Sequence, residues 1–171
     1  MYLVRKTKKA DYDYYLKSFK NNRFQFYGNF SKKNLSKYIH KLVITEYENV
    51  YRYIVEKNNI PIGFFHLYIQ NDNIAEVSIG SFEKFNSIYG LYIAIIPMYI
   101  IFKYYKNVNK IISTVHKKNF NAQKINTKIG GKRGEDINNK YSYYLEKKDF
   151  PNEFVEKILT RIEKEGIIYE K

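Results

Sequence analysis

The stretch from Asn119 to Gly131, NFNAQKINTKIGG, carries the strongest spacing signal in the chain. Asn119 has a side chain that can cap a helix by accepting a backbone N–H, and Gly130 can adopt the left-handed conformation that ends one. Between them, Asn126 offers an amide that can donate a hydrogen bond to a reacting atom. An amide has no ionisable proton to give at neutral pH, so it cannot act as a general acid.

Other kinds of chemistry are excluded by residue types and spacing. The sequence contains no cysteine, which excludes disulfides, thiolate metal sites and a cysteinyl acyl intermediate. The three histidines, His40, His66 and His116, do not have metal-ligand spacing, and neither a Gly-x-Ser-x-Gly elbow nor a Walker loop occurs. No metal site is predicted, and direct group transfer is favoured over a thiol relay.

The Asn119–Gly131 stretch resembles the pattern N-x-x-A-x-x-x-Y-x-x-x-G of the GNAT superfamily, the acyl-CoA-dependent N-acetyltransferases. Five positions agree with that pattern: Asn119, Ala122, Ile125, Ile129 and Gly130. Asn126 stands where the family usually has a tyrosine that protonates the departing CoA thiolate. The resemblance implies transfer of an acetyl or short acyl group from acetyl-CoA, or another short acyl-CoA, to a primary amine, with Asn119 beside the cofactor arm.

A general base is needed for such a transfer, because a protonated amine cannot attack a thioester. Ala75-Glu76-Val77 is similar to the start of the fourth strand of histone-type GNAT members, where the glutamate acts as base toward an amine. Glu76 is therefore the first candidate. His66, on the neighbouring predicted strand, is an alternative, and either residue could instead have a purely structural role.

Cofactor binding is predicted at two segments. GNAT proteins pair the pantetheine arm with the backbone of the fourth strand, which the resemblance places at residues 74–82. The contacts expected there are at Val77, Ile79 and Ser81. The family then has a phosphate loop, Q/R-x-x-G-x-G/A, whose backbone N–H groups hold the pyrophosphate at a helix N-terminus. Only the glycine matches in the equivalent residues here: Ser87, Ile88, Tyr89, Gly90 and Leu91.

The net charge of +13 favours polyanionic partners. Residues 101–140 carry ten Lys or Arg against Glu135 and Asp136, a local net of ten minus two, or +8. This concentration fits a phosphorylated cofactor, but it also fits a nucleic-acid backbone, and AT-rich codon usage could produce it without any function. The acceptor is therefore open between a small-molecule or protein amine and an amine carried on nucleic acid. A catalytically silent GNAT-derived module that binds nucleic acid and a homodimer are open as well.

The apolar patterning predicts the elements that position these residues. Strands are predicted at residues 2–6, 51–56, 62–70, 74–82, 111–115, 132–135 and 141–145. Helices are predicted from Thr7, from Ser31, over residues 91–105, from Asn119 to Gly130, and from Asp149 and Pro151 onward. A kink at Pro97, or a start later than Gly90, is expected in the third helix. Gly63 is expected to mark a bulge or a close approach of backbone.

This order is that of the GNAT fold with one helix appended. It implies an α/β (α+β) protein with a mixed, mostly antiparallel central sheet, flanking helices and splayed fourth and fifth strands. We expect one acyltransferase domain at residues 1–148 and a C-terminal helix at residues 149–171 packed on it. The N-terminus lacks the apolar region of a secretory signal, and the longest apolar run, Leu91–Phe102, is shorter than the ~20 residues of a membrane span. We therefore expect a cytoplasmic protein without a membrane span.

Overall fold

The structure is a computed structural model that describes residues 1–21, 32–71, 73–82 and 87–170. The predicted turn at residues 27–29, the predicted cap at Ser31 and the turn residue Asp72 lie outside the described residues.

An eight-stranded sheet forms the centre of the protein. Its strands are β1 (Tyr2–Lys6), β2 (Val50–Lys57), β3 (Ile60–Asn71), β4 (Ile74–Ser81), β5 (Lys110–His116), β6 (Lys132–Ile137), β7 (Lys140–Glu146) and β8 (Ile167–Tyr169). They lie in the order β6-β7-β5-β4-β3-β2-β1-β8. The pairs β4–β5 and β1–β8 are parallel and the other neighbours are antiparallel. The predicted mixed, mostly antiparallel sheet is confirmed.

Within the described ranges, five α-helices cover the two faces of this sheet. They are α1 (Tyr12–Asn21), α2 (Lys32–Ile44), α3 (Ser87–Tyr104), α4 (Phe120–Lys128) and α5 (Glu153–Glu165). Apolar side chains of α3 and α5 share one buried cluster with one face of the sheet, and Ile125 of α4 packs against it. Those of α1 and α2 form a second cluster with Ile54, Phe64 and Phe82 on the opposite face. The sheet therefore separates two layers of helices.

Two local predictions need correction, and one strand was missed. Thr7 does not cap the first helix: a short 3-10 helix, Lys9–Asp11, precedes α1, and the Asp11 carboxylate accepts the Lys8 N–H at 2.7 Å. A carboxylate is a stronger acceptor for a helix N-terminus than a hydroxyl. Helix α3 begins at Ser87, before Gly90, so the predicted later start is wrong. Pro97 lies inside the helix, and the kink expected there stays a prediction. Strand β8 was not predicted, and it depends on pairing with β1 rather than on a local pattern.

The two halves of the sheet diverge between β4 and β5. These strands pair at only three positions, the last joining Glu76 to Ile112, although β4 continues to Ser81 and β5 to His116. The predicted splay of the fourth and fifth strands is thus confirmed. An added Cβ on Gly63 of β3 would lie 2.7 Å from the Gly80 carbonyl oxygen of β4 and 2.8 Å from the Ile93 side chain of α3. This confirms the predicted close backbone approach at Gly63.

Candidate functional site

A cavity of about 350 Å³ fills the gap between β4 and β5. Its walls are residues 76–80 of β4 and residues 113–116 of β5, together with side chains of α3 and α4. Phe19 and Tyr38, from the helices on the other face, also line it. Because residues from both helical layers line one cavity, the gap forms a passage through the sheet.

A second cavity, of about 420 Å³, lies beside the first. Cross-strand pairing places Glu76 opposite Tyr68 and Ile112, and Ile112 opposite Tyr144, so these side chains share one face of the sheet. That is the face covered by α1 and α2, because Phe64, which belongs to their cluster, lies further along β3 on the same side as Tyr68. Three residues line both cavities: Glu76, Ser113 and Thr114. They mark the place where compartments on the two faces meet.

Glu76 is half-buried at this junction, at the point where β4 and β5 stop pairing. Its Oε2 atom accepts one hydrogen bond, from Gln70 Nε2 at 3.2 Å. Carboxylate oxygens can accept several hydrogen bonds. A further donor, such as an amine, can therefore be accommodated at Glu76.

Asn119 and Asn126 both line the first cavity. Asn119 is the N-cap of α4, and its Oδ1 accepts the Ala122 N–H at 3.2 Å, which confirms the predicted cap. Gly130 has a φ of 95°, which confirms the predicted left-handed helix terminus. Asn126 Nδ2 donates to the Ala122 carbonyl at 2.9 Å, and Asn126 Oδ1 accepts from Ser113 Oγ at 3.3 Å. Both ends of the Asn126 amide are therefore engaged within the cavity wall.

His66 lies away from both cavities. Its ring stacks on Tyr15, and its Nε2 atom is 3.2 Å from the Tyr15 hydroxyl. Burial, followed by the positive charge of Arg52, lowers the pKa of His66 to about 3. The structure therefore does not bring His66 to Glu76, and a neutral imidazole with such a low pKa is a weak base.

Only some of the residues predicted to hold the cofactor line the first cavity. Val77, Ile79 and Gly90 line the first cavity. Ser81 is buried and its carbonyl accepts a hydrogen bond from the Ser18 hydroxyl, Tyr89 is exposed, and Leu91 packs on the core. Ser87 and Ile88 begin α3, and their side chains lie outside the described part of the structure.

Several cations of the basic segment are paired. Lys117 and Arg133 contact Asp136, and Lys132 contacts Asp149. Hydrogen bonds from these cations lower the pKa of both aspartates. Asp136 is already counted in the local net charge of +8, and Asp149, which lies outside residues 101–140, offsets one further positive charge. Most of the local positive charge is therefore still available to a polyanion.

The described ranges contain no group of three or more His, Cys, Asp or Glu side chains placed to bind a metal ion. In that same part of the chain, we find no helix with the length and hydrophobicity to cross a membrane.

Sequence reasoning missed Gln70, Ser113 and Thr114, which join Glu76 at the second cavity. One signal was available: Ser113 and Thr114 form a polar pair in the middle of the apolar strand Ile111–Val115. Polar residues inside a buried strand need a local reason to be there.

Comparison with known proteins gives similarity in structure only. No family model and no curated protein matches the sequence. Among solved structures, the Campylobacter jejuni N-acetyltransferase PseH in complex with acetyl coenzyme A matches 86% of this chain and 99% of its own, with a TM-score of 0.65 and 14% identity. A GNAT-family acetyltransferase from Bacillus anthracis matches 85% and 95%, with a TM-score of 0.67 and 19% identity.

An aminoglycoside acetyltransferase is also similar. The structure of AAC(6')-Ib in complex with ribostamycin and coenzyme A matches 89% of this chain and 97% of its own, with a TM-score of 0.71 and 15% identity. These matches span nearly the full length of each solved structure. The strand order, the splayed strands and these superpositions together establish that this chain has the fold of the GNAT acetyltransferases.

Proposed function

We propose that this protein transfers an acetyl or other short acyl group from acyl-CoA to a primary amine by direct attack. The observation that carries the proposal is the junction of the two cavities. Glu76 lines both compartments at the point where the β4–β5 gap begins. A donor can thus approach from one face of the sheet and an acceptor from the other.

The residues present fit a CoA-type donor. Beyond Glu76, the edge of β4 that faces β5 has no strand partner among the described residues, so the backbone at residues 77–80 can pair there with an amide-containing arm. Gly90, in the first turn of α3, lines the same cavity as this edge. The first N–H groups of a helix have no partner within it and favour phosphate. Ala94, Met98, Ala122 and Ile125 give the cavity an apolar wall. When bound, acyl-CoA supplies an activated thioester.

Glu76 is the proposed general base. A primary amine is mostly protonated near neutral pH, so it must lose a proton before it can attack. The Glu76 carboxylate reaches the compartment on the α1–α2 face and accepts a hydrogen bond from a neutral partner, Gln70. Among the solved structures, AAC(6')-Ib is in complex with ribostamycin, an aminoglycoside and therefore a small molecule with amines. A small-molecule amine is the acceptor class that we propose first.

The test is a thermal-shift titration of the whole chain with acetyl-CoA, CoA and a nucleotide that carries the same phosphates but no pantetheine arm. A ligand that binds only the folded state raises Tm. We expect saturable stabilisation by both CoA species, well above that by the nucleotide. Equal stabilisation by all polyanions would overturn the proposal in favour of a GNAT-derived module that binds nucleic acid.

A pair of variants on α4 sharpens this test. Ala122 lines the cavity and Asn121, its neighbour, is exposed on the outside of the helix. Ala122→Trp should abolish stabilisation by CoA, whereas Asn121→Trp adds the same side chain outside the cavity and should keep it. The Tm of each variant without ligand separates a blocked cavity from a damaged fold.

A further inference from the structure

We propose that Ser113 stabilises the CoA thiolate as it leaves, in place of the tyrosine that this chain lacks at position 126. The proposal rests on the proposed function. Ser113 lines both cavities. It lies two residues from Ile111 on β5, so its side chain is on the same face as Ile111, which belongs to the core on the α3–α5 face, where the donor is proposed to bind. Its hydroxyl therefore faces the donor side of the sheet.

Acyl transfer places charge on sulfur. The amine gives one proton to a base, the C–N bond forms, the C–S bond breaks and its electron pair stays on sulfur. The new amide nitrogen then loses its second proton to the base or to water. The thiolate takes a proton from water in the end, so no further reactant is needed. A hydrogen-bond donor beside the sulfur lowers the barrier to C–S cleavage, because charge develops there in the transition state.

Asn126 is poorly placed to be that donor. One of its two Nδ2 N–H groups is bonded to the Ala122 carbonyl at 2.9 Å, which holds the amide nitrogen toward its own helix, and the amide presents its Oδ1 atom to Ser113. A carbonyl oxygen can only accept. Two tyrosines near the start of α3 are also unsuitable, since Tyr89 is exposed and Tyr92 packs edge-on against Tyr2, and neither lines the cavity.

Ser113 offers a hydroxyl on the correct face. Thr114 also lines both cavities, but it projects to the opposite face with Ile112 and the acceptor compartment. The bond from Ser113 Oγ to Asn126 is 3.3 Å long, at the weak end of O–H···O bonds. A nearby anion is a stronger acceptor than an amide carbonyl, so the Ser113 hydroxyl can exchange one for the other. Ser113 keeps its own proton throughout.

The experiment measures the pKa of the CoA thiol bound to the whole protein. The ultraviolet absorbance of the thiolate is followed against pH, and the same titration with desulfo-CoA is subtracted to remove the contribution of the tyrosines. Because the chain has no cysteine, no protein thiolate contributes. We expect Ser113→Ala to raise the thiol pKa by about one unit, the size of one hydrogen bond to an anion, and to lower turnover about tenfold.

Three further variants isolate the role of the hydroxyl. Ser113→Thr keeps the hydroxyl and should keep the thiol pKa. Thr127→Ala removes an exposed hydroxyl from α4, outside the cavity, and should change nothing. Adding Asn126→Tyr to Ser113→Ala should return the thiol pKa toward that of the unmodified protein, because a phenol then faces the same space.

The outcomes separate this proposal from the one on which it rests. If CoA gives no specific thermal shift, the acyltransferase proposal fails first. A different result would overturn the role of Ser113 alone. In that case the unmodified protein and the Ser113→Ala variant would bind CoA with similar affinity, and they would show the same thiol pKa and the same turnover.

Discussion

Two groups of polar side chains on the same sheet differ in how completely they are partnered. The Arg5 cluster, formed by Arg5, Asp11 and Glu56, joins β1, β2 and the short 3-10 helix that precedes α1. Arg5 donates to Asp11 at 2.8 and 2.9 Å and to Glu56 at 2.6 Å. The gap cluster, formed by Gln70, Glu76, Ser113 and Asn126, lies where β4 and β5 diverge. Its Gln70–Glu76 and Ser113–Asn126 bonds are 3.2 and 3.3 Å long.

This difference predicts that the Arg5 cluster contributes to stability and the gap cluster to the proposed reaction. In the Arg5 cluster, the hydrogen bond to Asp11 is the main cause that raises the pKa of Arg5, so the guanidinium stays charged. Both carboxylates are buried and ion-paired. The side chains of the gap cluster are joined to one another by long bonds, and the shorter bond from Asn126 to the Ala122 carbonyl, 2.9 Å, is also to a neutral group. These side chains lie beside open space. Removing one member of the Arg5 cluster should destabilise the protein. Removing a member of the gap cluster should instead slow the proposed acyl transfer.

The largest effect is predicted for Arg5→Leu. It leaves two buried carboxylates without their cation, which typically costs about 3–5 kcal/mol of unfolding free energy. Urea denaturation would measure the loss. Arg161→Leu, the same substitution at an exposed position on α5, should change stability by less than about 0.5 kcal/mol. Equal losses in the two variants would contradict the contrast between the clusters.

Glu76→Gln should have the next largest effect, on turnover. The amide cannot take a proton from the acceptor, so we expect turnover to fall about 100-fold, at the lower end of general-base effects. Stability and CoA affinity should stay close to those of the unmodified protein, because Glu76 has one long hydrogen bond to lose. Glu156→Gln, on the exposed side of α5, is the matched control. Unchanged turnover in Glu76→Gln would remove Glu76 from the mechanism.

Helix α4 could be predicted from the sequence because its limits are set locally. Asn119 caps it and Gly130 ends it, and both signals need only neighbouring residues. Strand β8 could not be predicted in the same way. It pairs with β1, at the other end of the chain, and it is too short to show a detectable alternation of apolar and polar residues.

The candidate site was predictable only in part for a similar reason. Family resemblance pointed to Glu76, Asn119 and Asn126, which the structure places on one cavity. His66 sits one strand away, but the packing of Tyr15 from α1 covers it, and no sequence pattern reveals which helix covers which strand. The role of the residues at the cavity stays a prediction.

The pH dependence of stability gives a third effect, which is spread over several pH units. His66 has a pKa of about 3 in the folded protein, lowered by burial and then by Arg52, against about 6.5 when unfolded. Between these values the unfolded chain binds the extra proton, so acidification from about pH 6.5 to about pH 3 destabilises the fold. The contribution is at most about 1.4 kcal/mol per pH unit within that window.

His66→Phe tests this by removing the titrating group. Its unfolding free energy should fall less steeply than that of the unmodified protein below about pH 6.5, and the two slopes should match above it. A constant offset between the curves would report only the lost contact with the Tyr15 hydroxyl. Such an offset at every pH would mean that the pKa of His66 is the same in the folded and unfolded states, which would contradict the prediction.

The smallest effect is predicted for Asn126→Tyr, which adds to the gap cluster instead of removing from it. A phenol can donate to the leaving sulfur, whereas the Asn126 amide donates to the Ala122 carbonyl of its own helix. If C–S cleavage limits the rate, turnover should rise a few-fold, equivalent to about 1 kcal/mol of barrier. Pre-steady-state acylation of the amine, followed against pH, would measure it.

The pH profile of that variant decides how the gain arises. A phenol can donate to the sulfur only while it keeps its own proton, so the gain should be present near neutral pH and should be lost as the pH rises through about 10, the ordinary pKa of tyrosine. A rate that does not change at any pH would show that the weak partnering at Asn126 carries no catalytic cost. The contrast between the two clusters would then rest on Glu76, because its proposed role as a base does not involve the leaving sulfur.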